Sequence, residues 1–102
     1  MPYIDKKLRK EYDDFVDLLS KKVRTLSEQD ARTPCGDLNY IISTLIEKTY
    51  GEYGDCYSDF NEKIGILECA KLELYRRRVA PYEDKKVEVN GDVYDDSEGS
   101  DQ

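Results

Sequence analysis

Leu8, Tyr12, Phe15, Val16, Leu19, Val23 and Leu26 recur at steps of 4, 3, 1, 3, 4 and 3. Such spacing draws one stripe along an α-helix and does not fit a strand, whose side chains alternate between two faces. Asp5 stands just ahead as an N-cap, its carboxylate placed to accept from an orphan first-turn N–H. The spacing predicts a helix from about Lys6 to Arg24. Residues 27–34 then read as a connection, with Thr33 as the next N-cap and Pro34 as the first helical residue.

Leu38, Ile41, Ile42, Leu45, Ile46 and Tyr50 mark a second amphipathic helix, ended by the glycines at 51 and 54. A third begins near Cys56 with Asp55 as cap. It passes through Phe60, Ile64, Leu67, Ala70, Leu74 and Tyr75 as far as Arg78 or Ala80. This helix is apolar too far round, because Ile66, Cys69 and Leu72 fall away from its main stripe. It is either sandwiched centrally or buries its second side on another subunit, and the second arrangement is the expectation. Pro81 cannot continue a regular ladder, so a kink or a new short turn over Tyr82–Val87 is expected there. Val87, Val89 and Val93 alternate as a short strand would, with Asn90-Gly91 interrupting. The expected fold is all-α: a small helical bundle of three main helices plus a short C-terminal helix or extension, assembled as a homo-oligomer. Residues 1–90 form its single helical domain, and 91–102 an acidic tail with the composition of disorder.

Several chemistries are poorly supplied. The chain of 102 residues has no histidine, so a Cys or Ser nucleophile lacks its usual base. Its six glycines are scattered rather than gathered into a phosphate loop. Cys35, Cys56 and Cys69 are odd in number and form no Cys-x-x-Cys, which speaks against a zinc site or disulfide framework and suits a reducing cytosol. No apolar run approaches the roughly 18 residues of a membrane span, and the first residues lack the apolar stretch of a secretory signal. Asp13-Asp14-x-x-Asp17 looks like a metal motif, as Glu47, Glu52 and Asp55 might be grouped to look. Solvated faces and helix capping explain them better. A non-enzymatic protein without a cofactor is the expectation.

The net charge of −7 is unevenly laid out. Residues 1–30 balance seven basic against seven acidic side chains, 35–68 and 91–102 are acidic, and 71–86 carry six basic against three acidic. A basic stretch between acidic ones suggests self-complementary association or a local anion site. Duplex DNA, which needs a broad basic face, is disfavoured. Within that stretch Lys71 falls on the apolar stripe, where it must snorkel, pair with an acid or serve a ligand. Tyr75, Arg76, Arg78, Tyr82, Lys85 and Lys86 combine guanidinium forks and ammonium groups suited to phosphate with rings on which a base can stack. The plainer account is a set of C-terminal cations that complement the helix dipole.

Residues Leu67-Glu68-Cys69-Ala70-Lys71-Leu72-Glu73-Leu74-Tyr75-Arg76-Arg77-Arg78-Val79-Ala80-Pro81-Tyr82-Glu83-Asp84-Lys85-Lys86, followed by Asn90-Gly91-Asp92-Val93-Tyr94, carry a resemblance. They look like a family of short uncharacterised bacteriophage and gut-metagenome proteins that bear a domain-of-unknown-function label. Gly36-Asp37-Leu38-Asn39-Tyr40 resembles that family's second hallmark, with Thr33-Pro34 ahead of it and Cys35 inserted between. The resemblance spans about residues 3–94. It implies a small phage protein acting in the host bacterial cytoplasm, and implies no particular activity. Two functions follow as expectations. One is an anion-binding protein that sequesters a nucleotide signal of host defence through Lys71, Tyr75, Arg76, Arg78, Tyr82, Lys85 and Lys86, with Asn39 and Tyr40 from the second helix. The other is an acidic inhibitor of a host protein that mimics nucleic acid.

Overall fold

The computed structural model describes residues 2–51 and 56–94. The fold is all-α: α1 (Lys6–Gln29), α2 (Cys35–Tyr50), α3 (Tyr57–Leu74), a π turn (Tyr75–Val79) and α4 (Ala80–Asn90), with no strand among the described residues. Two units are distinguished, Met1–Ile66 and Leu67–Gln102. The expected cap Asp55 and the acidic residues beyond Tyr94 lie outside the described residues.

In the first unit, Asp5 caps α1 as its sequence position suggests, its carboxylate accepting from the Lys7 N–H at 2.8 Å. The helix runs five residues past the expected Arg24. Ser27, expected in a connection, is buried and bonds inward, its hydroxyl donating to the Val23 carbonyl at 2.8 Å. The helix ends in a Schellman motif. Arg32 N–H reaches Ser27 O at 2.9 Å and Ala31 N–H reaches Glu28 O at 3.1 Å. Ala31 takes the left-handed position (φ 52°) that glycine usually fills.

α2 starts one residue later than expected. Pro34 stands at the cap position and supplies no side-chain hydrogen bond. Arg32 instead pairs with Asp37 in the first turn, which also complements the helix dipole. Gly51, at φ 58°, ends the helix. Across α2 and α3, Lys63 is buried with its ammonium 3.4 Å from Glu47, and the Tyr50 hydroxyl donates to Glu62 at 2.8 Å.

In the second unit the expected break at Pro81 does not occur as a departure from helix. Leu74, Val79 and Ala80 all keep right-handed helical angles. The Ala80 N–H bonds to the Tyr75 carbonyl, five residues back, and the widened turn stands directly ahead of a proline ring that would crowd the carbonyl four residues before it. Pro81 then occupies the first turn of α4, where its missing N–H costs little. Val87 and Val89, read as a strand from their alternation, are helical residues of α4. Gly91 (φ 87°) ends α4, and Asp92 folds the next residues into a turn by accepting from Tyr94 N–H at 2.9 Å.

Little of the apolar surface is covered. Val23 is the buried hydrophobic residue, while Phe15 is 72% exposed and Ile66 and Leu72 stand open on α3. The accessible surface is 9346 Å². A self-contained folded monomer of 11.9 kDa exposes about 6,000 Å² by mass scaling.

Candidate ligand groove

One face of the second unit gathers part of the expected site. Tyr75, Val79, Glu83, Lys86, Val87 and Asn90 recur at helical spacing, and the turn from Gly91 to Tyr94 closes one end. The enclosed groove has a volume of about 420 Å³. Its floor is valine, its rings are tyrosine, and its charges are Lys86 against Glu83 and Asp92.

Beside it runs a second stripe. Arg78, Tyr82, Lys85 and Lys86 are all exposed and lie about one turn apart. Lys86 Nζ sits 5.5 Å from the centroid of the Tyr82 ring, a cation–π contact that holds the ammonium over an exposed aromatic face. Arg78 and Lys85 enter no ion pair with any described residue. Lys86 belongs to both surfaces and joins the apolar groove to the basic stripe.

Other expected members are engaged differently. Arg76 is held by Glu73, with Nε at 3.1 Å and a second contact through its terminal nitrogen. Lys71 is not on a buried stripe. Its side chain is 68% exposed and pairs with Glu68 at 3.1 Å, the pairing option among the three open to it. Asn39 and Tyr40 lie on α2 in the first unit, where Asn39 Oδ1 accepts from Ser43 at 3.4 Å and Tyr40 is exposed. Val79, Val87, Asn90, Val93 and Tyr94 were missed as lining residues. The recurrence 75, 79, 83, 86/87 and 90 could have found most of them, had Val87 and Val89 not been assigned to a strand.

The cysteines are free and exposed. Cys56 Sγ donates to Asp59 Oδ2 at 2.9 Å. Among the described residues no three His, Cys, Asp or Glu side chains are grouped to hold a metal ion. No described helix is long and apolar enough to cross a membrane.

Residues 1–93 match the family described as Domain of unknown function (DUF6899). No curated protein and no solved structure matches the chain.

Proposed function

We propose that this chain, which belongs to the family Domain of unknown function (DUF6899), is a non-enzymatic protein that binds an anionic nucleotide along the π turn and α4. The observation that carries this reading is the position of Lys86, shared between an apolar, tyrosine-bearing groove and an exposed basic stripe. A nucleotide has the same two parts. Its base fits against Tyr75, Val79 and Val87, with the Asn90 amide able to bond a base edge. Its phosphate meets Lys86, Lys85 and Arg78, of which the last two have no carboxylate partner among the described residues. Glu83 and Asp92 keep the groove itself from being an anion cradle, so the phosphate belongs on the stripe and the base in the groove. The resemblance to phage proteins adds a setting: sequestration of a host-defence nucleotide in the bacterial cytoplasm.

Calorimetry against cyclic and linear nucleotides, with inorganic phosphate as a control, tests the reading. A nucleotide should bind more tightly than phosphate. Arg78→Ala and Tyr82→Ala should each weaken it about tenfold, the equivalent of roughly 1.4 kcal/mol, with an unchanged melting temperature. Absence of heat with every nucleotide overturns it. So does a melting loss that accounts for all the lost binding.

A further inference from the structure

α1 carries its charges in blocks. Lys6, Lys7, Arg9 and Lys10 are followed by Glu11, Asp13, Asp14 and Asp17, then by Lys21, Lys22 and Arg24, and at its end by Glu28 and Asp30. Read from the N-terminus the order is plus, minus, plus, minus. Read from the C-terminus it is the opposite at every block. Two copies of this helix laid side by side in the same direction set like charges together, whereas two laid antiparallel set opposite charges together along the whole length. Among the described residues none of these α1 side chains forms an ion pair within its own chain.

The same helix has an apolar face that the chain leaves uncovered. Leu8, Tyr12, Phe15, Val16 and Leu19, with Leu45 of α2, line an open groove of about 610 Å³. Leu8, Tyr12, Phe15 and Leu19 step by 4, 3 and 4, the alternation that lets one helix seat its side chains between those of another. α1 has 24 residues and α2 has 16, so about 36 Å of helix faces about 24 Å, and α2 cannot cover the stripe end to end. The accessible surface exceeds that of a self-contained monomer by about half, well beyond the roughly 800 Å² per partner that a stable interface removes.

We propose that α1 pairs antiparallel with α1 of a second copy of this chain, seated in the groove between α1 and α2. The apolar stripe supplies the affinity and the charge blocks set direction and partner choice. Another protein would have no reason to complement a pattern that is its own reverse complement; a second copy complements it automatically. This pairing is independent of the nucleotide reading, since none of its residues belongs to the π turn or α4.

Two triple variants of the full chain test it, one with Asp13→Lys, Asp14→Lys and Asp17→Lys, the other with Lys21→Glu, Lys22→Glu and Arg24→Glu. Wild-type protein at tens of micromolar should scatter light as a species of twice 11.9 kDa. Each variant alone brings like charges together at the centre of the antiparallel pair and should run as a monomer. An equimolar mixture restores opposite charges in every block and should recover the dimer mass. Circular dichroism confirms that each variant keeps its helices; if a triple variant does not, Asp13→Lys and Arg24→Glu are read in the same way. A monomeric wild type, which would leave the groove to another occupant, overturns the proposal. So do variants that dimerise alone as the wild type does, or helical variants whose mixture stays monomeric.

Discussion

Lys63 is clasped by Tyr50, its ammonium lying 5.5 Å from the centroid of that ring, and Phe60 closes the other side at 5.2 Å. A buried lysine thus joins α2 to α3 by its aliphatic stem and its charge together. Glu47 completes the contact at 3.4 Å but is itself 67% exposed, so solvent screens most of that pair. Lys63→Ala should therefore cost about 1–3 kcal/mol, read as a fall of several degrees in melting temperature. Glu47→Gln should cost less than about 1 kcal/mol. The reverse order in thermal melts would mean that the ion pair, rather than the aromatic enclosure, holds the two helices.

Ala31 offers a gain. Its φ of 52° places a Cβ in the left-handed region, where the side chain approaches its own carbonyl. Ala31→Gly relieves that contact and leaves both Schellman bonds intact, at some cost in unfolded-chain entropy. A net rise of about 0.5–1 kcal/mol is expected. A denaturant midpoint that falls would contradict it.

Asp37 sets an acid limit on the start of α2. Its hydrogen bond from Arg32 holds the carboxyl below the ordinary aspartate value, with the nearby positive charge acting in the same direction. The folded pKa is lowered, so the contribution is complete above the unfolded pKa near 4 and is lost as pH falls through the folded value. Melting temperature should decline on acidification below about pH 4 in the wild type. Arg32→Ala should melt lower at neutral pH and show a shallower acid decline, because its Asp37 has no partner to lose. Parallel pH profiles for the two proteins would contradict the assignment.

The three helical stripes were legible because amphipathic spacing survives whatever the helices pack against. Helix ends were less so, for reasons specific to the residues. A glycine at position 31 would have announced the stop of α1, but alanine occupies the left-handed position and Ser27 carries the helix onward by bonding back to Val23. Pro81 reads as a break, yet a π turn accommodates it and α4 proceeds. Of the candidate site, Tyr75 and Lys86 meet in one groove and Arg78, Tyr82 and Lys85 line its flank. Arg76 is captured by Glu73, three residues back, a contact that depends on rotamers rather than on residue type. Lys71 goes to Glu68 for the same reason.

The π turn also changes how the helix must be counted. An α-helix advances about 100° per residue, and a turn closed by a bond to the fifth residue holds one residue more than that angular period allows. Everything after Val79 is therefore out of phase, by about one residue, with a wheel drawn through α3. Tyr82 falls nearly above Leu74 instead of about 80° away from it. The run Arg76-Arg77-Arg78 contains the surplus position. Removing one arginine would leave the α4 side chains on the faces they now occupy, whereas the same deletion within α3 would rotate every residue that follows. Length at this turn is a separate variable from sequence, and it decides which residues share a face with α3.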